Sequence, residues 1–146
     1  MKYLLKILFI MMLTQYSWGD EINSTGLICD LDEKESKRAP SKQLIYYFDN
    51  KIVYAVQVFK QSSPIKIGKI LISEYRYNDK NIKWEGRNAS KAMKYYASVD
   101  RNNFILNLKF VYISGSKAKH NTEMSFYCKW ASWQDIEEYL KPKLEN

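Results

Sequence analysis

Aromatic and basic side chains alternate in the middle of this sequence, and their types suit ligand binding. They are Tyr75, Arg76, Tyr77, Lys83, Trp84, Arg87, Lys91, Lys94, Tyr95 and Tyr96. Cations attract phosphate, sulfate or carboxylate groups, and aromatic faces stack on sugars or bases. The pattern predicts a binding surface made by Tyr75, Arg76, Tyr77, Lys83, Trp84, Arg87 and Lys94. A purely structural role is the alternative, because the same residue types fill half-buried strand positions and keep a sheet soluble.

The charge distribution favours an anionic partner for this middle region. Residues 60–119 contain thirteen Lys and Arg against four acids, a net charge of +9, whereas residues 20–50 carry −3 and residues 120–146 carry −2. We expect a small amphiphile, an anionic polymer such as a glycan, or an anionic membrane surface as the partner. Nucleic acid is not expected, because an exported protein seldom meets it.

No group of residues forms a recognisable catalytic or cofactor motif. Glu74 and Glu85 lie on segments expected to pair, and two acids flanking a cleft can hydrolyse a glycosidic bond. His120 is the single histidine and lies in a polar loop, so it is not expected to serve a Ser-His-Asp or Cys-His site. We predict a protein that is not an enzyme and needs no cofactor, with a small secreted hydrolase as the alternative.

Metal binding is not expected. Asp30, Asp32, Glu33 and Glu35 form the one acidic cluster, but the segment lacks the glycine and the ligand spacing of a calcium loop. One histidine and two cysteines that are expected to be bonded do not supply the three or four ligands of a zinc site.

The first nineteen residues have the layout of a secretory signal peptide. Lys2 and Lys6 make the start basic, the run from Leu4 to Leu13 is otherwise almost wholly apolar, and small residues follow near Gly19. The run is shorter than the about 20 residues that span a bilayer. We therefore predict a signal peptide over residues 1–19 and a single β domain over residues 20–146, exported to the periplasm or the extracellular space, with no transmembrane segment in the mature chain.

Cys29 and Cys128 are the two cysteines of the chain. Export to an oxidising compartment favours a disulfide between them. The bond would close a loop of almost the whole domain, which stabilises by roughly 4 to 5 kcal/mol in the chain-entropy model. Phe126 and Trp130 share the apolar phase of Cys128, so all three are expected to face the core.

Eight segments have the periodicity of β-strands, and most are separated by short turns. They span residues 27–31, 44–48, 52–60, 66–77, 82–86, 93–99, 104–112 and 124–130. The apolar phase shifts within residues 66–77, which predicts a bulge or bend near Ser73-Glu74. One helix is predicted near the end of the chain, where Ser132 can cap it, Asp135 follows three residues later, and Pro142 ends it.

An antiparallel meander of eight strands can close into an up-and-down barrel, which removes exposed edges. Closure places the first and last strands side by side, as a Cys29–Cys128 bond requires. A two-sheet sandwich is the alternative. The strand count and the terminal helix resemble lipocalin-like barrels in outline, although the Gly-x-Trp signature of that family is absent from the start of the first strand.

Three functional hypotheses follow. The first is an exported binding protein that engages a small amphiphile or an anionic glycan or lipid surface through a barrel mouth or a basic aromatic face. The second is the hydrolase that uses Glu74 and Glu85. The third is a structural or inhibitor-type protein that binds a partner through the long polar loop from Asp32 to Lys42.

Overall fold

The structure is a computed structural model that describes residues 22–31, 43–60, 66–88, 91–113 and 122–144. The predicted signal peptide, the loop from Asp32 to Lys42, most of the acidic cluster and His120 lie outside these residues.

Nine antiparallel strands form one continuous sheet. They are β1 (Thr25–Leu31), β2 (Gln43–Asp49), β3 (Ile52–Phe59), β4 (Lys66–Glu74), β5 (Arg76–Tyr77), β6 (Asn81–Arg87), β7 (Met93–Asp100), β8 (Ile105–Tyr112) and β9 (Thr122–Ala131). Their order across the sheet is β4-β3-β2-β1-β9-β8-β7-β6-β5. Helix α1 (Trp133–Leu140) and a 3-10 turn (Lys141–Lys143) follow. The predicted all-β meander with one short C-terminal helix is confirmed, and the sheet is a nearly closed barrel.

The barrel nearly closes because the stretch from Lys66 to Tyr77 pairs with β3 at its start and with β6 at its end. β4 pairs with β3, and beyond Tyr75 the chain continues as β5, which pairs with β6. The Ser73 hydroxyl donates a hydrogen bond to the carbonyl oxygen of Glu85 in β6 at 2.6 Å. The stretch predicted as one bent strand is therefore two strands, which makes nine strands instead of eight. A shift in the β3–β4 register, next to Val53 and Ser73, lies close to the predicted bend.

The first and last strands are neighbours. Cys29 of β1 lies directly opposite Cys128 of β9, and the two form a disulfide with Cα atoms 4.0 Å apart. The backbone N–H of Cys128 donates away from β1, to the carbonyl oxygen of Phe104 at 2.8 Å. The two cysteines thus occupy a non-hydrogen-bonded pair, where opposite side chains approach most closely. The predicted disulfide and the predicted strand neighbours are both confirmed.

Alternation along the strands separates the apolar side chains into two layers. One phase faces the inside of the barrel and includes Leu27, Cys29, Phe48, Val53, Ile82, Val99, Leu106 and Phe126, all at most 2 % exposed. The other phase faces outward, and part of it is covered by α1. Trp130 differs from its predicted core position, because it lies near the end of β9 and is 38 % exposed. Its ring contacts Phe48 and Phe104 at the edge of the interior.

Helix α1 closes the outer side of β1, β2 and β9. Its buried residues Ile136 and Leu140 pack in a cluster with Ile28, Ile45 and Ala131 of the sheet. The helix begins with the predicted capping box: the backbone N–H of Asp135 donates to the Ser132 hydroxyl at 3.1 Å, and the backbone N–H of Ser132 donates to the Asp135 carboxylate at 2.7 Å. Two helix-end donors are thereby satisfied.

Loss of the cap should destabilise the protein in a pH-dependent way. Hydrogen bonds from the Ser132 hydroxyl and then its backbone N–H lower the pKa of Asp135 below its usual 3.8. This contribution is therefore present above pH 3.8 and lost as the pH falls through the lower folded pKa. We expect Ser132→Ala to reduce the free energy of unfolding by about 1 kcal/mol at neutral pH. Urea unfolding should show the difference from wild type shrinking in acid, and a constant difference would contradict a contribution from the Ser132 hydroxyl bond to the Asp135 carboxylate.

Removal of the disulfide should destabilise the fold strongly. The bonded residues are 99 apart in the sequence. The chain-entropy model predicts that replacing both cysteines with serine lowers the free energy of unfolding by roughly 4 to 5 kcal/mol. Urea unfolding of the oxidised protein, the reduced protein and the double variant measures this. Equal stability of the oxidised and reduced proteins would show that strand pairing alone closes the chain.

Candidate functional site

The middle of the barrel interior is filled by aromatic rings. Trp84 contacts Tyr46 and Phe48 edge-on, with ring centroids 4.9 and 5.6 Å apart, and Phe48 contacts Tyr75 at 5.2 Å. All four side chains are buried. Two of the predicted ligand-binding residues, Tyr75 and Trp84, therefore lie inside the barrel and not on its outer surface.

The outer face that α1 leaves uncovered forms an open groove of about 1030 Å³ across β6, β7, β8 and β9, with one end at β4 and β5. Twisted strands give a barrel a hyperboloid shape, and such a surface is concave along the strands. Two cross-strand rows of outward side chains border the groove, and the backbone of Trp84, Ala97 and Leu108 lies between them.

The first row begins with two cations and continues with neutral polar groups. Successive strand pairings align Arg76, Lys83, Ser98, Asn107 and Ser125. The Ser125 hydroxyl donates to the side-chain oxygen of Asn107 at 2.8 Å, so the Asn107 amide nitrogen remains a donor for a ligand. In the part of the chain that the structure describes, neither Arg76 nor Lys83 forms an ion pair.

The second row carries charges that are already paired. It aligns Glu85, Tyr96, Lys109 and Glu123. Lys109 Nζ lies 3.6 Å from Glu123, and Lys94 Nζ lies 2.8 Å from the Glu85 carboxylate and 4.8 Å from the centre of the Tyr96 ring. Hydrogen bonding to Glu85 and then to Tyr96 raises the pKa of Lys94. Together with Lys94, the second row therefore carries no net charge.

The groove as a whole is close to electrically balanced. Its lining contains three cations, Arg76, Lys83 and Lys109, and three acids, Glu74, Glu85 and Glu123. The net positive charge of residues 60–119 is therefore not concentrated in the groove. What distinguishes the groove is its Arg76–Lys83 end, where two cations lie beside the single acid Glu74 and neither cation forms an ion pair among the described residues.

The structure brings together only some of the predicted ligand-binding residues. Arg76 and Lys83 are cross-strand neighbours in the groove, and Lys94 reaches the Glu85 that borders it. Tyr77 is 46 % exposed and its ring stays near that of Tyr75. Arg87 is exposed at the end of β6, outside the groove lining.

Ser98, Asn107 and Ser125 were not singled out from the sequence. Serine and asparagine are ordinary on an outward strand face, and only the registers of three adjacent pairings align them with Lys83. The sequence signal available was their outward phase within strongly alternating strands.

The predicted carboxylate pair shares the groove. Glu74 and Glu85 both line it, near the point where β4 meets β6. The Glu85 carboxylate already forms an ion pair with Lys94. The two carboxylates of the hydrolase hypothesis therefore lie in one groove.

Among the described residues, no group of three or more His, Cys, Asp or Glu side chains is placed to hold a metal ion. No helix in the described ranges is long and apolar enough to cross a membrane. No family model, curated protein or solved structure matches the chain. Function is therefore inferred from the geometry of the site.

Proposed function

We propose that this chain is an exported, non-enzymatic binding protein that holds an anionic glycan in the groove on its outer face. The observation that carries the proposal is the Arg76–Lys83 pair at one end of that groove. Like charges directly opposite each other destabilise a sheet. A sulfate or carboxylate bound between the two cations relieves this repulsion and forms charge-assisted hydrogen bonds.

The rest of the first row suits the hydroxyl groups of a sugar chain. Ser98, Asn107 and Ser125 offer hydroxyl and amide groups in line with the two cations. The row crosses five strands, so it extends about 19 Å at the usual strand spacing. A ligand that carries an anionic group at one end and hydroxyls along its length matches this order of side chains.

Packing inside the barrel favours the outer face as the glycan site. Tyr75 and Trp84 are buried against Phe48, so they do not offer ring faces to a polymer on the surface. Export to the periplasm or the extracellular space is part of the proposal. It is supported by the disulfide, which forms and persists in oxidising compartments.

Charge reversal in the groove tests the proposal. We expect Arg76→Glu with Lys83→Glu to weaken binding to heparin by at least about tenfold, because two charge-assisted hydrogen bonds are lost. Isothermal titration calorimetry at two salt concentrations measures the affinity and its salt dependence. Neutral dextran serves as the uncharged reference ligand and should bind far more weakly.

A matched variant separates the groove from the overall charge. Lys66→Glu with Lys141→Glu makes the same change in net charge at two exposed positions outside the groove lining. This control should keep nearly the wild-type affinity once salt screens long-range attraction. Equal losses in the two double variants would refute a specific groove site.

A small hydrolase is the second candidate, since Glu74 and Glu85 line the same groove. A carboxylate that acts as acid, base or nucleophile loses that capacity when it becomes an amide. If the protein cleaves a chromogenic glycoside, Glu74→Gln and Glu85→Gln should each reduce the rate by at least about a hundredfold. Undiminished turnover in both variants would rule this candidate out, and Glu123→Gln is the control at the other end of the groove.

A further inference from the structure

Inward side chains are fully buried at one end of the barrel and mostly only partly buried at the other. The turns that join β2 to β3, β5 to β6 and β7 to β8 mark what we call the turn end. The inward residues nearest to it, which are Phe48, Val53, Ile82, Val99 and Leu106, are 0 % exposed. At the opposite end, the loop end, the inward residues Leu44, Tyr95, Phe110 and Met124 are only partly buried, and Leu31 is 9 % exposed. Among the described residues, the inward side chains of the loop end are therefore partly exposed and apolar.

Trp84 lies at the boundary between these two halves. It follows Ile82 in the inward phase of β6 and precedes Gly86. Its side chain is only 5 % exposed, yet the indole nitrogen Nε1 is buried without a hydrogen-bond partner among the described residues. A buried donor without a partner costs about 1 to 3 kcal/mol of desolvation. Such a donor is uncommon in a folded protein and indicates a missing acceptor.

Two tyrosines place further polar groups in the same region. Tyr46 contacts the Trp84 ring, and Tyr95 lies directly over Gly86, where a Cβ atom would meet its ring at 2.3 Å. Burial, and then the proximity of Tyr95, raises the pKa of Tyr46, and burial raises the pKa of Tyr95 to about 12. Both hydroxyls are therefore protonated donors at neutral pH. An apolar space with a few polar groups at its base is the usual form of a small-molecule site.

We propose that the loop-end interior is a second binding site, which takes a single-chain amphiphile whose head-group oxygen accepts a hydrogen bond from Trp84 Nε1. The apolar tail lies against Leu44, Phe110 and Met124, and the hydroxyls of Tyr46 and Tyr95 flank the head group. The site differs from the outer groove in both surface and chemistry. It does not depend on the glycan proposal.

The indole N–H reports directly on the proposed contact. In a nitrogen–proton NMR spectrum, decanoate or decanol should shift the Trp84 indole signal and leave those of Trp130 and Trp133 in place. Decanoate offers a charged acceptor and decanol a neutral one, so their relative affinities identify the head group. Single Trp→Phe variants assign the signals of these three tryptophans, and Trp18 gives a fourth signal in a chain that retains residues 1–19.

Affinity measurements on variants test the role of the donor. We expect Trp84→Phe to bind decanoate roughly tenfold more weakly in calorimetry, since one hydrogen bond to a charged acceptor is lost. Trp130→Phe makes the same chemical change at a ring that is 38 % exposed near the turn end, and it should bind as wild type does. Arg76→Glu with Lys83→Glu should also bind decanoate normally.

A second pair of variants keeps the test decisive if Trp84→Phe does not fold. Leu44→Trp enlarges an inward residue at the loop end and should abolish decanoate binding by filling the space. Leu71→Trp is its control, at a strand position that is 62 % exposed.

Three results would each overturn the proposal. One is an absence of binding by both probes to the wild-type protein. Another is a shift of all three indole signals together. The last is an affinity of Trp84→Phe, or of Leu44→Trp, equal to that of wild type.

Discussion

The pairing of β1 with β9 is the constraint on which the rest of the sheet depends. The Cys29–Cys128 bond fixes which residues of the two strands stand opposite each other. Because side chains alternate between the faces of a sheet, a slip by one residue would move Leu27 and Cys29 out of the interior. From this pair the sheet extends in both directions, through β2 and β3 to β4 and through β8 and β7 to β6. The two arms meet where the chain passes Tyr75.

Each surface of the barrel is divided into two parts with different roles. Outside, α1 covers one half and leaves the other as the polar groove. Inside, fully buried side chains such as Phe48 stabilise the turn end, whereas half-buried ones such as Phe110 line the loop end. Under the two proposals, stability and binding thus fall to separate parts of the same strands. A residue's strand phase and its distance from the turn end together indicate which role it has.

Much of the fold could be predicted from the sequence because it depends on local patterns. Alternation located the strands, two cysteines in a chain with a predicted signal peptide indicated the bond, and Ser132 with Asp135 marked the start of α1. The candidate site was harder to predict from the sequence than the fold. Trp84 lies between two charged residues, which made it look like part of a basic surface, yet alternation turns it inward while Lys83 faces the groove.

Several features that the sequence did not predict depend on contacts between distant segments. The Lys94–Glu85 ion pair and the alignment of Asn107 with Ser98 depend on strand registers, which no local pattern specifies. The positive charge of residues 60–119 likewise did not reveal that the groove contains as many acids as bases. Trp130 shares the inward phase, but its place near the end of β9 leaves it partly exposed.

The central position of the two end strands also sets the order of assembly. Among the described strands β1 is made first and its partner β9 is made last, so one edge of β1 stays unpaired until the chain is nearly complete. Contacts between such distant segments slow folding, because a long loop must close before they form. An incomplete chain would expose an unpaired, apolar β1 edge, which is an aggregation hazard. This topology therefore favours completion of the whole chain before the sheet closes. Oxidation of the two thiols to the disulfide then becomes a late step of folding.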